Sequence, residues 1–106
     1  DGEYDFVGRK IHVHTGTARM QNGTLSGSVL TLDSAVRNIV RFAGVSWSTA
    51  IAMATQVPAR IAGSAHRAGQ IMPGADANLI AIDSNGIVER TWIGGSLAYR
   101  RQYMSI

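Results

Sequence analysis

The stretch Leu32-Asp33-Ser34-Ala35-Val36-Arg37-Asn38-Ile39-Val40-Arg41-Phe42-Ala43-Gly44 sets the organisation of the chain. Leu32, Ala35, Val36, Ile39, Val40 and Ala43 recur at steps of three and one, which is one face of an α-helix. Asp33, Ser34, Arg37, Asn38 and Arg41 take the other face. Thr31 suits the N-cap, Asp33 the positive end of the helix dipole, and Gly44 the left-handed residue that ends a helix. The spacing predicts a helix over residues 31–43 with Leu32, Val36, Ile39 and Val40 buried.

Working outward, Ser46 suits the cap of a second helix with Trp47, Ala50, Ile51 and Ala54 on its apolar side. Pro58 interrupts that pattern, because proline lacks a donor N–H and clashes with the preceding turn. Ala59 to Ala62 add a further turn before Gly63, and the short Gly44-Val45 link predicts a packed helix pair. Upstream, Tyr4-Asp5-Phe6-Val7, Lys10-Ile11-His12-Val13-His14 and Thr17-Ala18-Arg19-Met20 read as three strands of an antiparallel meander. Ile11 and Val13 alternate with Lys10, His12 and His14, and Thr15-Gly16 and Asn22-Gly23 are turn dipeptides. Downstream, residues 77–83, 87–93 and 97–101 read as strands joined at Ser84-Asn85-Gly86 and Gly94-Gly95-Ser96. Three strands alone leave open sheet edges and a face needing cover. The class is therefore α/β, as part of a larger protein.

The chain has 106 residues, below the roughly 200 or more of a complete (β/α)8 barrel. It starts at Asp1 with neither Met nor a basic leader, which adds to the expectation of a piece of something longer. Hydrophobic residues are 45% and charged residues 16%, a globular composition. The absence of Cys excludes disulfides and thiolate chemistry. No apolar run reaches the length of about 18 that a membrane span requires. Nine Arg and one Lys against seven acids give +3, but only Arg100-Arg101 adjoin, so no basic stripe marks a nucleic-acid surface.

His12-x-His14 puts two imidazoles on one strand face, as in some metal hydrolases, while the bland alternative is two exposed histidines on a hairpin. A catalytic zinc needs at least three protein ligands, and only His66 remains, beyond both helices. No Ser sits in a G-x-S-x-G elbow. Asp76 and Asp83 are expected in turns or caps. Gly23-x-Leu25-x-Gly27 is a Gly-rich loop before the first helix, and its amides can meet a polar or anionic ligand.

Asn22-Gly23-Thr24-Leu25-Ser26-Gly27-Ser28, followed by Leu30-Thr31-Leu32-Asp33 and Ala35-Val36-Arg37-Asn38-Ile39-Val40, resembles the C-terminal third of N-acetylglucosamine-6-phosphate deacetylases, within the amidohydrolases. Ala52-Met53-Ala54-Thr55 with Pro58-Ala59-Arg60 continues it, as do Gly69-Gln70-Ile71 and Pro73-Gly74-Ala75-Asp76-Ala77-Asn78-Leu79. The resemblance implies a metal-dependent (β/α)8 barrel beside a small β-sandwich. Residues 1–66 would end the barrel domain, and residues 67–106 would supply sandwich strands. It also implies hydrolysis of N-acetylglucosamine 6-phosphate to glucosamine 6-phosphate and acetate. A water activated by zinc or a similar divalent metal attacks the amide carbonyl, and an Asp shuttles the proton. Leu25, Ser26 and Gly27 match the family's substrate-contacting Leu-Ser-Gly.

The family's metal ligands and catalytic Asp have no counterpart here, so the expectation is of no catalytic or metal-binding residue and no activity in this chain alone. Asn78 stands where the superfamily often has Asp, in a structural role. The expected partners are the sugar phosphate, the upstream barrel portion and a second subunit of a homodimer, with neither nucleic acid nor membrane, in the cytoplasm. The alternatives are another amidohydrolase, or a non-catalytic binding or assembly module. Alone, the chain is expected to aggregate or to stay molten.

Overall fold

The computed structural model describes residues 1–102, so the expected third part extends at residues 103–106 beyond the described residues. Two compact units meet in sequence at Thr31 and Leu32. The division expected at 66/67 assigns segments to domains of a longer parent and remains an expectation.

The first unit is a four-stranded antiparallel meander in the order β1 (Gly2–Phe6), β2 (Arg9–His14), β3 (Thr17–Met20) and β4 (Leu25–Gly27). Val7-Gly8 and Thr15-Gly16 form the first two connections, with φ of 49° and 75°, and 51° and 78°. Positive φ at both central residues is the type I′ geometry, whose twist matches that of the flanking strands. Val7 therefore belongs to a turn and not to the strand read there. Tyr4 lies opposite Ile11, Ile11 opposite Met20, and Val13 opposite Ala18. These residues share the apolar face, but only Ala18 is buried, and Tyr4 stays 55% exposed. Glu3, His12 and Arg19 align on the other face.

The second unit begins with α1 (Leu32–Ala43), α2 (Trp47–Ala54) and α3 (Gln56–Ile61). Gly44 ends α1 at φ +67° and donates its N–H to the Val40 carbonyl at 3.1 Å. Ser46 caps α2 by accepting from the Thr49 N–H at 3.2 Å. Thr55, at φ −129° and ψ −78°, separates α2 from α3. Pro58 is the third residue of α3, where its missing N–H would have had no helical partner. It thus sits inside a helix that starts at Gln56, earlier than the expected turn at Ala59.

The remaining strands, β5 (Leu79–Ile82), β6 (Val88–Ile93) and β7 (Ser96–Arg100), form an antiparallel sheet in sequence order. Ala77 and Asn78 lie outside β5 because both are engaged by the β6–β7 turn. Gly95 N–H donates to the Ala77 carbonyl and Gly94 N–H to Asn78 Oδ1, each at 2.9 Å.

Helix α1 forms where its periodicity predicts, but it buries less than that periodicity implies. Leu32 is 66% exposed, Val36, Ile39 and Val40 are half-buried, and α1 holds no buried residue. Leu32 and Val36 border an open apolar cavity of about 310 Å³, lined also by Ile51, Ile80, Ile82 and Val88. Among the described residues of this unit the buried ones are small: Ala50, Ala59 and Gly86. An apolar stripe states what a helix can bury, and neighbouring elements decide how much of it they cover.

Candidate functional site

The segment singled out in the sequence, Leu25-Ser26-Gly27, is a strand and not the loop that its glycines suggested. It is built from the β3–β4 turn upward. Gly23 N–H donates to the Met20 carbonyl at 2.9 Å, and Met20 N–H to the Thr24 carbonyl at 2.8 Å. Asn22 Oδ1 accepts from the Thr24 N–H at 3.0 Å, a side chain imitating a turn carbonyl. Gly23 sits at φ +86°, which explains the Asn-Gly pair. From β3, Arg19 Nη1 donates to the Gly23 carbonyl at 2.9 Å.

The ladder then slips by one residue. Arg19 is opposite Leu25, yet Ala18 is opposite Gly27. Ser26 is thus the extra residue of a β-bulge, the device that re-aims a side chain at a strand edge. All three residues are exposed, Leu25 by 61%. Gly27 is not among the glycines at positive φ, and a Cβ there would meet nothing within 4 Å. A side chain at Gly27 therefore causes no backbone strain and no internal clash.

The histidines stay apart. His12 and His14 are both exposed on β2, with His14 Nδ1 3.6 Å from Asp1 Oδ2, and His66 lies in the loop after α3. Among the described residues, no group of three or more His, Asp or Glu is placed to hold a metal ion. These side chains do not fit the divalent metal that the resemblance implies.

Two carboxylates, Asp83 and Asp76, brace loops of the second unit. Asp83 Oδ1 accepts from Asn85 N–H at 2.8 Å and Ile87 N–H at 2.9 Å, while Oδ2 pairs with Arg101 Nη1 at 3.2 Å. The Ile87 amide above all holds the Asp83 carboxyl below its ordinary value; desolvation comes next and opposes it, and the Asn85 amide and the Arg101 charge add to the lowering. Asp76 N–H donates to the Arg67 carbonyl at 2.8 Å, and its carboxylate stands 3.7 Å from Arg67 Nε. Arg19 had not been singled out in the sequence. The available signal was an Arg on the strand just before an Asn-Gly turn.

The chain thus runs through a four-stranded meander, three helices and a second small sheet. The chain belongs to the amidohydrolase family, whose profile matches residues 6–98. Its relatives narrow this further. An N-acetylgalactosamine-6-phosphate deacetylase of Escherichia coli O157:H7 is 42% identical over 98 residues, which are 92% of this chain and 26% of the relative. The N-acetylglucosamine-6-phosphate deacetylase of Vibrio furnissii is 33% identical over 93% of this chain and 25% of its own length. The crystal structure of N-acetylglucosamine-6-phosphate deacetylase from Pasteurella multocida superposes with a TM-score of 0.81 at 31% identity, covering 92% of this chain and 26% of that one. The chain spans about a quarter of the length of these two curated relatives. Those relatives are hydrolases by name.

Proposed function

We propose that this chain is part of an N-acetylhexosamine-6-phosphate deacetylase and contributes the strand Leu25-Ser26-Gly27 to its substrate site. The observation that carries the reading is the likeness to deacetylases across 92% of the chain, at a TM-score of 0.81. The parent hydrolyses the amide: water adds to the acetyl carbonyl, the C–N bond breaks, and acetate and the amino sugar phosphate leave. Leu25 covers an apolar face of the sugar, and Ser26 offers one donor and one acceptor. Gly27 lets the ring approach the backbone. Amidohydrolases generally use a divalent metal, and in this reading the rest of the parent holds it along with the proton-shuttling Asp. This chain alone is inactive. The same reading places residues 1–66 at the end of a (β/α)8 barrel and residues 67–106 in a small β-sandwich, within a homodimeric cytoplasmic enzyme. No described helix is long and apolar enough to cross a membrane.

A second reading concerns the sugar. Identity is 42% to the Escherichia coli galacto-type relative and 33% to the Vibrio furnissii gluco-type one. N-acetylgalactosamine 6-phosphate, the C4 epimer, is therefore the alternative substrate, and kcat/KM on both sugars decides between them.

The test is Gly27→Val in the full-length protein. Because a Cβ at Gly27 meets open space, the variant is expected to fold normally and to keep its metal content. Turnover is expected to fall by orders of magnitude as the side chain displaces the sugar. Ser26→Ala is expected to cost about 1 kcal/mol, one neutral hydrogen bond. Near-normal kinetics for Gly27→Val removes the strand from the substrate site.

A further inference from the structure

The β3–β4 connection differs from the two before it. The first two hairpins close through two-residue turns, whereas four residues, 21–24, separate Met20 from Leu25. A longer connection specifies register less tightly, and a one-residue slip would move every β4 side chain to the opposite face. Something must hold β4 in the slipped register that leaves Ser26 as the extra residue. Arg19 is placed to do so twice over. Its backbone lies opposite Leu25 and borders the bulge, while its guanidinium reaches across the turn to the Gly23 carbonyl at 2.9 Å. This is a charge-assisted bond, stronger than a neutral one and held by a planar group. Asn22 braces the same turn from within through the Thr24 N–H.

We infer that Arg19 is a positioning residue of the deacetylase, clamping the Gly23 carbonyl so that β4 keeps the bulged register presenting Ser26 to the substrate. The inference rests on the reading of Leu25-Ser26-Gly27 as a substrate strand. Arg19 touches no reacting atom, so its loss loosens binding and leaves the chemical step intact.

The experiment measures steady-state kinetics of the full-length protein on N-acetylglucosamine and N-acetylgalactosamine 6-phosphates. Arg19→Ala is expected to raise KM on the order of fivefold with kcat within about twofold, the scale of one hydrogen bond. Arg19→Lys keeps a charged donor, and its KM is expected to return to within about twofold of the parent value. Asn22→Ala changes no charge but loosens the same turn, so its KM is expected to rise about threefold.

An unchanged KM in Arg19→Ala overturns the inference, and so does a failure of Lys to restore KM. A normal KM in Asn22→Ala with a raised KM in Arg19→Ala also overturns it, because the guanidinium would then be contacting the anionic substrate itself. If Arg19→Ala does not fold, Asn22→Ala decides alone. Gly27→Val separates the two readings. Inert Arg19 variants beside a crippled Gly27→Val remove only the clamp, whereas normal kinetics in Gly27→Val removes the substrate strand on which the clamp depends.

Discussion

Two glycines of the second unit play a part that the hairpin glycines of the first do not. In the β1–β4 meander, Gly8, Gly16 and Gly23 all have positive φ, and a Cβ at any of them would meet nothing within 4 Å. Their task is purely conformational, to close a hairpin between neighbours in sequence. In the second unit, Gly69 and Gly86 also have positive φ, but a Cβ at Gly69 would come within 2.8 Å of Ala59 Cβ and 2.9 Å of the Thr55 carbonyl oxygen. At Gly86 it would collide with the Trp47 ring at Cη2. There the chain passes through gaps that distant residues have closed around it. Arg37 adds to this by donating to the Gly86 carbonyl at 3.0 Å across 49 positions, while pairing with Asp33 at 3.0 Å. One unit is assembled from local turns, and the other from encounters between segments far apart in sequence.

Stability measurements can break that contrast. Gly69→Ala is expected to be the most costly substitution, about 3–5 kcal/mol in chemical unfolding of the full-length protein, since backbone strain adds to a clash with backbone atoms. Gly86→Ala should cost about 2–4 kcal/mol, less because the opposing Trp47 and Arg37 atoms are side chains that can shift. Gly16→Ala should cost only about 1–2 kcal/mol, the backbone part alone. Equal losses at Gly16 and Gly86 would erase the distinction between the units.

A smaller effect has the opposite sign. Val7 is a β-branched residue at φ +49° and is 86% exposed, so its backbone is strained without a packing contact to offset it. Val7→Asn should stabilise the meander by about 0.5–1 kcal/mol, read as slower amide exchange in β1 and β2. A loss of protection there would mean that Val7 makes a contact in the full-length protein that outweighs its strain.

The smallest effect concerns the Asp83 turn. Its folded pKa lies below the ordinary 3.8, so folding favours the charged form. The associated stability is fully present above pH 3.8 and is lost as pH falls from there through the lowered folded value. In Asp83→Asn the difference from the parent protein should therefore shrink as acid is added below that pH. A difference that stays constant from neutral pH down to pH 2 would show that the carboxylate charge contributes nothing.

The elements legible in the sequence were those whose causes lie within a few residues. Helix α1 followed from its apolar steps and Gly44, the Ser46 cap from its position, and the β2–β3 hairpin from Thr15-Gly16. The candidate strand was found through a resemblance, and its residue types alone misled: glycines at 23 and 27 read as a loop, yet Leu25–Gly27 pairs with β3. Strand pairing depends on what lies alongside, and a three-residue strand carries too little alternation to announce itself. Val7 failed for a related reason, since β-branched residues favour strands and only the register of Phe6 with Arg9 moves it into the turn.

What the sequence determined by itself is the local part of this protein: the order of sheet, helices and sheet, the caps, and the turn residues. Each depends on backbone preferences and hydrogen bonds spanning about four residues, so residue type and spacing carry the information. Tertiary structure alone decided the half-exposed face of α1, the passage of Gly86 beneath Trp47 and Arg37, and the bulge at Ser26 with Arg19 on the Gly23 carbonyl. Those features arise where surfaces meet, and the fit of one surface against another is a property of neither stretch alone.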